Sequence, residues 1–229
     1  MTFTKSIGQE LERRILDFEK ECIQTRGRFR IALSGGSLIG HLANSSLIRS
    51  NTDLSKWQVY FVDERWCSLD SEDSICGEYQ RNMPEFIKAV QVHVPYQEGL
   101  TVDEGAIHYE QVLSEANGND DIDMIVLGMG PDGHTASIFP PIDKNALMSN
   151  RRVLPVHDSP KPPSERITMT IPFMLSKATK VLFVVSGEGK GESLWKILKE
   201  NDPKFPPTYF PDAEWLLDYN VALAAGLTN

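Results

Sequence analysis

Apolar residues at Ile7, Leu11, Phe18 and Cys22 fall on one face of a 3.6-residue spiral, with acids and bases between them. Residues 5–25 therefore read as an amphipathic helix, and Gly27 is its expected stop. The spacing then changes. FRIAL (29–33), WQVYFV (57–62), IDMIVLG (122–128) and KVLFVV (180–185) are short, nearly continuous apolar runs, the pattern of strands covered on both faces. Each runs into a polar or glycine-bearing turn: SGGS (34–37), DERW (63–66), MGPDGHTA (129–136) and SGEGK (186–190). Helical patterns follow at HLANSSLI (41–48) and ESLWKILKE (192–200), and a short helix stopped by Pro140 and Pro141 is expected after the third turn. Strands alternating with helices predict a mainly parallel sheet. Residues 66–80, 155–163 and 201–213 read as loops or extended connectors before a last strand near WLLDY (215–219). The chain has no internal repeat, low-complexity tract or dividing linker.

In open α/β sheets ligands sit beyond the carboxyl ends of the strands, so the four turns are expected to gather there. SGGS offers uncovered backbone N–H groups and two hydroxyls, either as a phosphate seat or merely as a turn. Lys190 brings a cation to the same edge, and Arg65 a guanidinium that never loses its charge. At Asp132-Gly133-His134 a turn accounts for the glycine but not for the imidazole. A histidine at a helix N-terminus stays neutral and can accept a proton, and the carboxylate beside it can orient the ring. A rival reading is that GMGPDG (128–133) matches the dinucleotide fingerprint, with Asp158 as the ribose acid. Against it, Asp132 sits where a pyrophosphate would approach. Of the other histidines, His41 and His108 lie on helical stretches and His93 on a strand, which leaves His157 as a minor candidate.

With 229 residues, 41% hydrophobic and 24% charged, the chain can bury one sizeable core. No apolar run approaches the roughly 20 residues of a membrane span, and the charged N-terminus does not read as an export signal. The cytosol is the expected compartment. Three cysteines without metal-type spacing read as reduced thiols. The net charge of -9 disfavours nucleic acid as a partner. It does not exclude a small anion, because surface fields are screened beyond about 8 Å, whereas one cation at about 4 Å is worth about 4 kcal/mol at an effective dielectric near 20.

LSGGS (33–37), VDER (62–65), LGMGPDGHTASIFP (127–140), DSPKPPSERITMT (158–170), SGEGK (186–190) and WLLD (215–218), in this order, resemble the 6-phosphogluconolactonases, within the superfamily that includes glucosamine-6-phosphate isomerase/deaminase. The resemblance implies an α/β fold over residues 1–229, a single domain with a Rossmann-like mainly parallel sheet, helices on both faces and three layers. It implies hydrolysis of 6-phosphogluconolactone in the pentose phosphate pathway without metal or organic cofactor. The expected partner is a small phosphosugar lactone, not nucleic acid or membrane, and a monomer is the expected assembly, with oligomers and docking to other enzymes left open by the sequence. His134 would be the base, Asp132 its support, and Arg65 would face the lactone or its oxyanion. Ser34, Gly35, Gly36, Ser37, Arg166 and Lys190 would receive the phosphate, and Asp63 completes the substrate-binding set. The deaminase type carries a tyrosine where Arg65 stands and a glutamate after its histidine motif, where this chain has Ser137, Ile138 and Phe139. The chain departs from the lactonase pattern at Trp66-Cys67-Ser68, Ser74-Ile75 and Pro141, and an N-terminal strand before the first helix is not expected. A non-catalytic phosphosugar-binding protein that keeps the same cradle is the alternative reading.

Overall fold

In the computed structural model, which describes residues 1–45, 52–117 and 122–228, the four apolar runs form adjacent parallel strands. In chain order the strands are β1 (Thr2–Thr4), β2 (Phe29–Leu33), β3 (Trp57–Phe61), β4 (Asp63–Arg65), β5 (Gln91–Val92), β6 (Ile122–Leu127), β7 (Val153–Val156), β8 (Arg166–Met169), β9 (Ala178–Val185) and β10 (Glu214–Asp218). Seven make one parallel sheet in the order β1-β10-β9-β6-β2-β3-β5. The runs lack polar alternation because both faces are covered. Ile31, Leu33, Val59, Phe61, Val126 and Val184 pack on one side with Leu11, Ile15 and Phe18 of the helix Ile7–Arg26. Ala32, Tyr60, Ile125, Leu127 and Val185 pack on the other with Ala106, Tyr109 and Leu113 of the helix Val102–Asn117. The result is three layers, in which each fully buried Leu, Ile, Val or Phe contributes about 1.5–3 kcal/mol of hydrophobic stabilisation.

Leaving aside its edge strand β1, the sheet has the doubly wound order, and the chain leaves β2 toward β3 on one side but continues from β6 through β9 and β10 on the other. Between β2 and β6 the connections diverge, so a crevice opens at their carboxyl ends. The Ser34 N–H donates to Val126 O at 3.0 Å and ties the two strand ends together there. A second, antiparallel sheet, β4-β8-β7, grows from the end of β3, and Met169 N–H donates to Val62 O at 2.7 Å. This carries Asp63 and Arg65 to the rim of the crevice.

Several expectations are corrected. An N-terminal strand is present: β1 pairs with β10, but three residues are too few to show a period. Residues 66–80 are not all loop, because Ile75–Asn82 is helical and the Ser74 hydroxyl accepts from Gly77 N–H. The second helix begins earlier than expected, at Ser37, and ends at Ala43; residues 46–48 of that stretch lie outside the described residues. Residues 155–156 belong to β7, and 206–209 form a 3₁₀ turn. The predicted short helix after the third turn does not form. Ala136 adopts φ 49°, and Thr135 and Ile138 exchange backbone hydrogen bonds in a tight bridged turn. Ala136 and Ile138 are buried there without a helical face. No helix among the described residues is long and apolar enough to cross a membrane.

Candidate active site

The crevice holds a cleft of about 200 Å³ lined by Ser34, Gly35, Gly36, Ser37, Asp63, Arg65, Gly130, Pro131, His134 and Lys190, over an apolar floor of Ile75, Met129 and Ala136. Four turns far apart in sequence therefore meet, as the strand pattern predicts. Asp132 stands behind His134, and Arg166 does not line the cleft. His157 and Asp158 line a different cavity, and His157 Nε2 lies 3.4 Å from Asp103. Without a helix after GMGPDG, the dinucleotide fingerprint lacks the helix N-terminus that would seat a pyrophosphate.

The turn that carries His134 is built by glycine. Gly133 takes φ 79°, and Gly130 N–H donates to His134 O at 2.9 Å, folding the segment back on itself. The turn is anchored from outside by Thr135 Oγ1 donating to Gly128 O at 2.8 Å and Ser193 Oγ donating to Pro131 O at 2.7 Å. His134 Nδ1 is 2.5 Å from Asp132 Oδ1. Two acceptors cannot stand that close, so Nδ1 carries the hydrogen and Nε2 keeps a lone pair. Burial holds the His134 pKa below its ordinary value, against the upward pull of Asp132. The ring is thus held toward its neutral form, but burial takes the place of the expected helix dipole as the cause. For Asp132, burial acts to raise the pKa, and the bonds from His134 and Lys161 outweigh it, leaving the carboxyl below its ordinary range.

At the other end of the cleft, Gly36 takes φ 69° and the following turn leaves backbone N–H groups uncovered. Gly35 lies so close to the helix beneath it that a Cβ would meet Ile75 Cγ1 at 2.8 Å. Ser34 Oγ and Arg65 Nε are both buried with no hydrogen-bond partner among the described residues. Such orphaned groups are costly unless a ligand satisfies them. Arg65 is steadied by Nη1 donating to Asp73 O at 2.9 Å. Burial, and then the charge of Lys161, lowers the Lys190 pKa. Asp63 accepts from Ser137 Oγ at 2.7 Å.

Arg166 is used inside the fold. Only 2% exposed, it donates to the carbonyls of Lys161, Pro162 and Pro163. Two residues have roles that the sequence does not announce. Lys161 Nζ donates to Asp132 Oδ1 at 3.0 Å. Glu64, fully buried, accepts from the N–H groups of Arg65, Ile75 and Cys76, which fixes the 66–74 loop and the floor residue Ile75. Burial pushes Glu64 up to about 7, although these bonds oppose it. Trp66, one of the atypical positions, is packed on Gly105 and donates from Nε1 to Leu100 O at 2.9 Å.

The sequence matches the model of the family described as Glucosamine-6-phosphate isomerases/6-phosphogluconolactonase over residues 4–215. A Drosophila melanogaster protein named Probable 6-phosphogluconolactonase is 35% identical over 97% of this chain and 89% of its own. The 6-phosphogluconolactonase of Rattus norvegicus is 33% identical over 88% of this chain and 81% of its own. The crystal structure of 6-phosphogluconolactonase from Thermotoga maritima superposes with a TM-score of 0.82 at 25% identity, covering 95% of this chain and 98% of that one.

Proposed function

The chain belongs to the family of glucosamine-6-phosphate isomerases and 6-phosphogluconolactonases, and on that premise we propose that it hydrolyses 6-phospho-D-glucono-1,5-lactone to 6-phosphogluconate in the oxidative pentose phosphate pathway. The observation that carries this reading is the His134 imidazole, backed at Nδ1 by Asp132, on the same cleft as the Ser34–Ser37 turn and Lys190. The phosphate is received by the backbone N–H groups of that turn, the Ser34 hydroxyl and Lys190. With one end tethered, binding energy remote from the reaction positions the ester.

His134 Nε2 takes a proton from water as the oxygen attacks C1. The carbonyl oxygen becomes an oxyanion that the Arg65 guanidinium stabilises, and Asp132 steadies the imidazolium. The tetrahedral adduct collapses, the bond from C1 to the ring oxygen breaks, and the imidazolium returns its proton to that oxygen. The acid formed then loses a proton to solvent.

Lactonase chemistry is favoured over isomerisation because the turn carrying His134 continues as Ser137, Ile138 and Phe139, with no carboxylate to move a proton along the sugar. Phe139 instead packs on the imidazole, with ring centroids 4.7 Å apart.

The test is hydrolysis of freshly made 6-phosphogluconolactone by the purified chain. A rate above the spontaneous one, unchanged by EDTA, is expected, since the steps need only a base and an oxyanion partner. A loss in EDTA that a divalent ion restores would overturn the metal-free route. Saturable binding of 6-phosphogluconate without hydrolysis would instead favour the non-catalytic alternative. Replacing Lys190 by alanine is expected to raise KM for the phosphorylated lactone with a smaller effect on kcat; an unchanged KM would remove Lys190 from the phosphate seat.

A further inference from the structure

We infer that Lys161 is a positioning residue of the catalytic turn: its ammonium bonds the Asp132 carboxylate behind the ring and sets how strongly that carboxylate acts on His134. This inference rests on His134 being the base of the proposed reaction.

The geometry leaves Lys161 few options. Its Nζ is 3.0 Å from Asp132 Oδ1 and 3.1 Å from His134 Nδ1. Because Nδ1 already directs its hydrogen at Oδ1, the ammonium donates to the carboxylate and remains a positive charge beside the ring. The backbone that carries it is held by a buried cation: Arg166 Nη2 donates to Lys161 O at 2.8 Å and to Pro162 O at 3.0 Å, and Nε donates to Pro163 O at 3.0 Å. Lys161 Nζ also lies 5.9 Å from the centroid of Phe139, the ring that packs on His134. A solvated surface lysine would have none of these constraints.

The electrostatic consequence has a definite sign. The charged groups around His134 are Asp132 on its own turn, Lys161 on the 161–163 turn, Asp63 and Arg65 at β4, and Lys190 across the cleft. Asp132 and Asp63 favour imidazolium, whereas Lys161 disfavours it. Removing the Lys161 charge leaves the carboxylates less opposed, so the imidazole takes up its proton at higher pH. The base is then lost over a pH range in which it is otherwise available.

The experiment compares the wild-type chain with Lys161→Met and Lys161→Arg in two readouts. The first is ¹⁵N NMR titration of His134 without substrate. Lys161→Met is expected to move the midpoint to higher pH, with the Nδ1–H tautomer kept by Asp132, while Lys161→Arg stays near wild type. The second is the pH profile of lactone hydrolysis. In Lys161→Met the acid limb of kcat/KM should move to higher pH, with the deficit shrinking on the alkaline side. An unmoved midpoint and acid limb together with a raised KM would overturn the inference, since that pattern belongs to a residue that grips substrate. If Lys161→Met does not fold, Lys161→Gln carries the same reading. The NMR arm needs no turnover, so a shifted midpoint in a chain that does not hydrolyse the lactone would overturn the proposed function and leave the placement of Lys161 standing.

Discussion

Replacing His134 by alanine is expected to lower kcat for 6-phosphogluconolactone by about 10²- to 10⁴-fold, the usual contribution of a positioned general base. KM should change far less, because the proposed phosphate seat, the cleft-lining Ser34–Ser37 and Lys190, is untouched. Stability should also hold, since the turn is closed by backbone bonds, Thr135 and Ser193 rather than by the imidazole. Stopped-flow or pH-indicator assays corrected for spontaneous hydrolysis measure the effect. A variant with normal kcat would remove His134 as the base.

The second large effect is expected from a residue with no side chain. A methyl group at Gly130 would stand 2.1 Å from both Cε1 and Nδ1 of His134 and 2.5 Å from Asp132 Oδ1. Real Cβ atoms do not approach so closely, so in Gly130→Ala either the imidazole swings off its carboxylate or the turn shifts. Misplacement of a reacting group by about 1 Å can cost about 10²-fold, and a loss of at least that size in kcat is expected. The deficit should appear in a folded protein, checked by its circular dichroism and thermal transition. Full activity in Gly130→Ala would mean that the tight packing of ring and turn is not needed for catalysis.

These two residues differ in how far the sequence reveals them. His134 stands out because an imidazole in a glycine turn after a buried strand has no structural reason to be there. Gly130 appears as one glycine of a motif whose dinucleotide reading fails, and only the folded turn shows that its missing side chain makes room for the dyad. The four strands that carry the site were legible because burial on both faces strips them of polar alternation. β1 and the helix Ile75–Asn82 were not, since a three-residue strand and a two-turn helix are too short for a period to stand out.

The electrostatics were legible in outcome but not in cause. A neutral His134 follows from burial and the nearby Lys161, not from a helix dipole, because no helix follows the turn. Lys161 and Glu64 escaped for a shared reason: each acts through a contact that exists only after folding. Glu64 holds the start of the helix Ile75–Asn82 through backbone N–H groups, and Lys161 reaches Asp132 because Arg166 shapes the turn between them. Arg166 itself illustrates the limit of reading cations from sequence. The resemblance assigns Arg166 to the phosphate, yet here its guanidinium is turned onto three carbonyls of its own chain.

The central claim is that one substrate engages the Ser34–Ser37 turn and His134 simultaneously, and a crystal structure of the chain with bound 6-phosphogluconate tests it most directly. The phosphate is expected on the backbone N–H groups of that turn and on Lys190, with the C1 carboxylate within hydrogen-bond reach of His134 Nε2 and the Arg65 guanidinium. A phosphate seated elsewhere, or a C1 group out of reach of the imidazole while the phosphate occupies the turn, would contradict it.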